Sequence, residues 1–406
     1  MRVLIFTWEY PPRTIGGIAP HVYNLSKALS ELGTKIMVVT CDFPGVPERE
    51  RIGNVEVHRV DSYKAPTSDF ASWAYTMNSN LQDYAAELLA SDEESIDIIH
   101  AHDWLVAEAA IGLKHMFRIP MVATIHSTEH GRRNGIHTDY HRMLHETEIW
   151  LAQEAWKIIC CSNYMSSHVI SVLGTPNDKI VTITNGVDPD KFSQPFDKEA
   201  FRRKYASPDE KIVLYVGRMV YEKGLKVLFN AARKVFRSTN AKFVLVGEGY
   251  LKGSLSKMVL DEGLAHKLYF TGYLDDNEVK LLFRTADVCV VPSLYEPFGI
   301  VCLEAMAAGT PVVVSNTGGL SEIIHHEKNG VTVCPGDPDS LAWGIIRVLT
   351  DKPFSERIAA DALRRVKEVY SWRAIAKKTQ DFYNDVYSDY SAGSWKPRHG
   401  KDDMSI

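Results

Sequence analysis

The 406-residue sequence is poor in cysteine, holds no long apolar run and has no surplus of positive charge, and each shortage excludes a class of protein. Six cysteines, with Cys160 and Cys161 adjacent and the rest in apolar strand or helix contexts, form neither a disulfide framework nor a zinc pattern. They are expected as buried thiols. The first apolar run, Val3 to Trp8, is cut by Glu9 and Pro11, too short for a signal peptide. No stretch approaches the ~20 residues of a membrane-spanning helix. A cytoplasmic protein is expected. Formal net charge is −5, split as 15 Lys/Arg against 24 Asp/Glu through Asp190 and 31 against 27 beyond it. Such a balance gives no basic face for duplex nucleic acid, which is excluded as a partner, while the more basic half suits a small anion.

What is present is an alternation of short apolar strands with amphipathic helical stretches, in a chain long enough for two ordinary domains. Arg2–Thr7, Lys35–Thr40, Val55–Val60, Asp97–His100, Met121–Ile125 and Lys157–Cys160 read as strands of a first unit. After the polar segment Asp188–Asp209, a second series runs through Ile212–Val216, Phe243–Val246, Leu268–Phe270, Val288–Val291 and Pro311–Val314. The fold class is therefore α/β, with two doubly wound units over residues 1–195 and 196–371. A last helix is expected over residues 372–390, and the polar tail 391–406 is expected to be disordered.

The most informative stretch is VVPSLYEPFGIVCLEAMAA, Val290 to Ala308. A strand runs through Pro292 into a turn, and a helix opens near Gly299, so free N–H groups at Phe298, Gly299, Ile300 and Val301 can converge on an anion. Glu296 lies in the turn and Glu304 about one helical turn inside, bracketing that site. Taken alone, they are equally a loop charge and a helix-dipole partner. Arg218 and Lys223, in VGRMVYEKGL directly after a strand, are two cations that could neutralise a diphosphate, the first by a fork and the second as a point charge. Near the amino end, Gly16 and Gly17 stand in a loop at a strand's carboxyl end, where they would let backbone close over a phosphate or sugar.

Histidines are frequent in the first half. His126 follows the strand MVATI, at the end of the sheet where ligands bind. Arg132 and Arg133 further along that loop fit an acceptor contact or solvated charge equally. His100 and His102 in HAHDW are expected on opposite faces of their strand, which sets a metal pair aside. His137, His141 and His145 recur every four residues, but no carboxylate or cysteine completes a zinc pattern, and they are expected to be solvated. Asp188/Asp190 and Asp337/Asp339 sit in proline turns, where turn formation explains them better than a metal. Asn185 begins an Asn-Gly turn and could also reach a sugar. Tyr273 follows LYFTG and could border a nucleobase, and Thr317-Gly318-Gly319 adds a flexible loop.

Together GG at 16 and 17, HDW, the strand-end His126, NGVD, GRMVYEKG, EPFGIVCLE and TGG span nearly the whole chain. In that order they resemble the motifs of the retaining GT-B glycosyltransferases, group 1, in the glycogen- and starch-synthase-like branch. The resemblance implies two Rossmann-like domains facing across a cleft, with the last helix crossing back to the first. It implies a nucleoside-diphosphate sugar, UDP-, ADP- or GDP-linked, and a saccharide acceptor. By the same resemblance, Arg218 and Lys223 clamp the diphosphate, Glu304 binds the nucleotide ribose, Glu296 contacts the sugar or stabilises positive charge near it, and His126 hydrogen-bonds the donor sugar and positions its anomeric carbon.

No cofactor or metal is expected, because the two cations and the helix start already stabilise the leaving group. HDW and HSTEHGRR favour transfer of glucose to an α-glucan, with Trp104 and Tyr140 as aromatic faces for it. Two departures exist: Thr14 stands where the branch's K-x-G-G-L has lysine, and Glu304 stands where its members usually have tyrosine. The alternatives are transfer to a lipid-linked or cell-surface acceptor, with peripheral membrane contact left open, then a nucleotide-sugar epimerase or a noncatalytic sugar-binding protein.

Overall fold

The structure is a computed structural model that describes residues 1–62, 67, 69–91 and 95–395. Its contacts divide the chain into two units, Met1–Thr184 with Trp372–Ile406, and Asn185–Ser371.

The first unit is an eight-stranded sheet: β1 (Arg2–Phe6), β2 (Lys35–Cys41), β3 (Arg49–Ile52), β4 (Val55–Val60), β5 (Ile98–His102), β6 (Met121–Ile125), β7 (Lys157–Cys160) and β8 (Ile180–Thr182). The order is β3-β4-β2-β1-β5-β6-β7-β8, parallel throughout except for β3, which runs antiparallel to β4. Helices cover both faces, which is why β1 is a near-continuous apolar run and β5 is buried at every position, its two histidines included. Strand order reverses at β1, which pairs with both β2 and β5. The loops after β1 and β5 therefore part at a switch point, the position where open α/β sheets bind ligands.

The final helix, Trp372–Ala392, belongs to this unit. Ile375, Phe382, Tyr383 and Val386 enter the same core as Val3, Ile5, Leu25 and Val38. At roughly 1.5–3 kcal/mol for each large apolar side chain, that face firmly anchors a segment remote in sequence. The Tyr383 hydroxyl meets His100 Nδ1 at 2.6 Å, and Gln380 Nε2 donates to the Leu32 carbonyl and Thr34 Oγ1.

The second unit is a six-stranded, all-parallel sheet of β9 (Lys211–Val216), β10 (Ala241–Val246), β11 (Leu268–Gly272), β12 (Val288–Val291), β13 (Val312–Ser315) and β14 (Val331–Val333). Its order, β11-β10-β9-β12-β13-β14, places the reversal between β9 and β12. Val213, Phe243, Val288 and Val313 pack against Leu228, Phe229 and Val235 of the helix Leu225–Ser238 and Ile345 of the helix Pro338–Thr350.

Three expectations shift. Residues 185–195 sit with the second unit, because the Val187 N–H donates to the Tyr370 carbonyl at 3.0 Å and Phe192 packs edge-on against Phe283. The last helix extends to Ala392, and Trp395 stacks on Trp156 at 6.2 Å, so the start of the expected disordered tail is ordered by aromatic packing. Residues 396–406 lie outside the described residues. Five cysteines are buried, but Cys334 is exposed. Among the described residues, no helix is long and apolar enough to cross a membrane.

Candidate active site

In the second unit, the loops at the β9/β12 reversal are locked together by glycines. Gly224 has φ +70°, and a Cβ there would lie 1.9 Å from the Pro292 carbonyl oxygen. Only glycine lets the turn Tyr221–Lys223 lie flat on the β12 loop. The Glu222 carbonyl then accepts from the Leu294 N–H at 2.8 Å, and the arrangement places Lys223 Nζ 2.7 Å from Glu296 Oε2. Ser293 Oγ donates to the same carboxylate oxygen at 3.0 Å. Both charged side chains are mostly buried, 21% and 12% exposed, so their attraction is only partly screened by water. Arg218 is looser, half exposed and 3.5 Å from Glu222 Oε1.

Gly299, at φ +114°, opens the helix Ile300–Ala307. Its first N–H groups have no acceptor within the helix, which leaves a cationic helix start one step from the Lys223–Glu296 pair. The TGG loop is pinned beneath it. Gly319 N–H donates to the Glu296 carbonyl at 2.9 Å, and a Cβ on Gly319 would meet Phe298 Cα at 2.5 Å. Glu304, on the first turns of that helix, is pushed up to about 7 by loss of surrounding water, with Asp276 adding repulsion against the pull of Lys280 and Lys191. Phe298 is 4% exposed and packs on Tyr370, so its backbone, not its ring, faces any ligand. Tyr273 stands open at the end of the edge strand β11, 72% exposed. Asn185 is buried, and its Oδ1 has no hydrogen-bond partner among the described residues.

In the first unit, His102, Asp103 and His126 meet at the ends of β5 and β6. His102 Nδ1 and His126 Nε2 are 3.0 Å apart. Burial holds His126 unprotonated, down to about 3, and lowers His102 and His100 well below the usual imidazole range. Asp103 Oδ1 accepts the His126 N–H at 2.7 Å, and burial pushes that carboxyl up to about 6. Its backbone stands at φ 60° and ψ 174°, a region almost reserved for glycine, at a cost of order 1–3 kcal/mol.

The Gly16-Gly17 loop differs from expectation. Glu9 Oε2 accepts from the N–H groups of Ile15 at 2.6 Å and Gly16 at 3.0 Å, so a buried internal carboxylate already occupies donors expected to meet a phosphate. Desolvation raises the Glu9 carboxyl, while those N–H groups and Arg13 oppose the rise.

Other expectations are corrected here. His100 and His102 do not diverge: residues two apart in a strand share a face, and their rings lie 4.2 Å apart. His141 and His145 are not solvated, at 17% and 16% exposed, because they pack beside Glu129 and Glu148. Those two carboxylates also hold Arg132, and Glu129 holds Arg133, so the arginines are structural partners of the loop. Trp104 is 8% exposed, with its ring edge-on to the exposed Phe70, while Tyr140 remains open. Asp188 and Asp337 accept the N–H groups of Asp190 and Asp339, as turn formation requires. No spacing in the sequence singles out Glu9, Glu222 and Ser293 for their roles: Glu9 and Glu222 act through backbone contacts, and Ser293 through its hydroxyl on Glu296.

Two doubly wound α/β sheets with loops at their switch points, one bearing paired cation and carboxylate at a glycine-opened helix, are the fold and site of a GT-B glycosyltransferase. The chain belongs to that class, and within it to the glycogen- and starch-synthase-like branch. The family model for glycosyl transferases group 1 matches residues 197–365, and that for Glycosyltransferase Family 4 matches residues 15–191. The chain is 42% identical to an uncharacterised glycosyltransferase of Methanocaldococcus jannaschii, over 94% of this chain and 98% of that one. It is 35% identical to a glycogen synthase of Mycobacterium tuberculosis, over 94% of each. A solved sucrose-phosphate synthase from Thermosynechococcus elongatus shares the fold at a TM-score of 0.83, with 24% identity over 96% of this chain and 99% of that one. Starch synthase IV from Arabidopsis thaliana, solved with ADP and acarbose, gives 0.79 at 16% identity over 95% and 99%.

Proposed function

We propose that this glycosyltransferase moves a hexose, glucose in the first instance, from a nucleoside-diphosphate sugar to an α-glucan or related saccharide, with retention at the anomeric carbon. The observation that carries this reading is the Lys223–Glu296–Ser293 cluster beside the helix start at Gly299. A cation, a carboxylate and free helix N–H groups within one loop pair suit a sugar diphosphate, whose phosphates need positive charge and whose sugar hydroxyls need an acceptor. The relatives lend support: a glycogen synthase at 35% identity, and fold neighbours solved with ADP and acarbose or with UDP-glucose.

In this reading Arg218, Lys223 and the N–H groups of Ile300 and Val301 take the diphosphate, Glu304 takes the ribose, and Tyr273 borders the base. Glu296, Asn185 and His126 serve the sugar. Because His126 Nε2 is engaged by His102, its Nδ1 is the nitrogen left for a hydroxyl. The C1–O bond to the diphosphate breaks with its electron pair passing to the phosphate oxygen. The acceptor oxygen bonds C1 on the same face, and its proton passes to that phosphate oxygen. No metal enters this scheme.

A screen of UDP-, ADP- and GDP-sugars against maltooligosaccharides and lipid extracts tests it. Elongated maltooligosaccharide from a glucosyl donor is expected. Elongation of lipid alone, or use of a mannosyl donor alone, would overturn the glucan assignment, and epimerised donor without transfer would overturn the reaction.

A further inference from the structure

We propose that His21, His102 and His126 form a binding site for a borderline-soft divalent transition metal, zinc being the type case, with one ring nitrogen of each as ligand. The three come from different elements: the helix Ile18–Glu31, the end of β5 and the loop after β6. One nitrogen from each lies within 4.8 Å of the other two. His102 Nδ1 and His126 Nε2 are already 3.0 Å apart, close to the ~3.3 Å edge of a tetrahedron built on zinc–nitrogen bonds of about 2.0–2.1 Å. A side-chain shift of about 1.5 Å brings a separation of 4.8 Å to that edge.

A plain stack of neutral histidines would need only the His102–His126 hydrogen bond. It would not explain why His21 converges on the same atoms, with its ring centroid 4.7 Å from that of His126 and 5.5 Å from that of His102. His100 is not a fourth ligand. Both its nitrogens are engaged, by Tyr383 at 2.6 Å and Thr124 at 2.7 Å, and it backs the cluster as a fixed wall.

The chemistry selects the ion. Three imidazoles with no carboxylate among them disfavour magnesium and calcium, which require oxygen, and favour zinc, nickel or copper. A neutral imidazole offers one lone pair, from the ring nitrogen that carries no proton. Asp103 follows His102 directly and binds the His126 N–H, which supplies negative charge beside a dication.

The metal takes His126 Nε2, while the function proposed above gives Nδ1 of the same ring to the donor sugar, so a bound metal fixes the proton on Nδ1 that a sugar hydroxyl meets. That consequence rests on the proposed function; the binding does not. The metal-free full-length chain is titrated calorimetrically with Zn²⁺ and with Mg²⁺, and Co²⁺ is followed by visible absorption. One zinc per chain, no magnesium binding and cobalt bands displaced by zinc are expected. His21→Gln and His102→Asn, checked for folding by circular dichroism, each weaken zinc by at least about 10–100-fold. His137→Gln, at an exposed histidine outside the cluster, leaves it unchanged. Absence of stoichiometric zinc, or undiminished affinity in both folded variants, overturns the site. If zinc binds as expected, the metal site stands whatever zinc does to sugar transfer, and the donor role of His126 is read separately from the donor screen.

Discussion

Replacing Lys223 with methionine separates two effects that its pairing with Glu296 combines. In the free protein, Lys223 Nζ is 2.7 Å from a carboxylate that is only 12% exposed. Removing the ammonium leaves that carboxylate with Ser293 as its remaining side-chain donor, at a cost of about 1–3 kcal/mol for a poorly satisfied, largely desolvated charge. The second unit should therefore unfold at lower denaturant. In the proposed reaction, the ammonium meets the charge that grows on the departing diphosphate, and losing it should cost about 2–4 kcal/mol, or roughly 30- to 1000-fold in kcat/KM.

Adding Glu296→Gln distinguishes the two. The double variant removes both charges, so most of the stability should return, because replacing both members of a buried pair costs far less than removing one. Activity should not return, since only Arg218 and the helix start are left for the diphosphate and the sugar has lost a carboxylate. Denaturant unfolding and steady-state transfer, measured on both single variants and the double, complete the cycle. A Lys223→Met enzyme of normal activity would refute the diphosphate assignment. Stability in the double variant no better than in Lys223→Met would refute the claim that the pair is energetically coupled.

Three further outcomes follow from named contacts. Gly224→Ala places a Cβ 1.9 Å from the Pro292 oxygen and should destabilise by more than about 2 kcal/mol, whereas Gly253→Ala, with nothing within 4 Å, should be neutral or gain about 0.5–1 kcal/mol; thermal unfolding reads both. Glu304 has a raised folded pKa of about 7 against 4.5, so its contribution to stability is intact below pH 4.5 and is lost as pH rises towards and through 7. Glu304→Gln should accordingly stabilise more at pH 8 than at pH 5, and an equal gain at both would contradict the shift. Chelator treatment should leave sugar transfer intact or raise it, and complete loss restored by magnesium or manganese would return attention to the aspartate pairs.

The strands and most of the second unit's site were legible because apolar runs and glycine-bounded loops are local signals. Gly224, Gly299 and Gly319 stand in the motifs, and each position demands glycine by a measurable close approach. β3, β8 and β14 were missed for equally local reasons. β3 is RERI, a charged edge strand with no buried face, and the other two are three residues long. The domain boundary was misplaced because the chain near residue 190 is polar in sequence, yet Phe192 seats on Phe283, and no local pattern reveals a partner so distant.

The first unit shows where local reading stops. Gly16 and Gly17 look like a phosphate loop, but the loop's chemistry is set by Glu9, whose carboxylate satisfies the very N–H groups a phosphate would seek. An anion entering there must first displace a buried charge bound by two N–H groups. The histidines make the same point from the other side. His21, His102 and His126 are spread over residues 21–126 with no metal-ligand spacing, and only the β1-β5-β6 order brings their elements to one edge. Local spacing describes what one element can present to a ligand. What converges at a switch point depends on strand order, which is a property of the folded sheet.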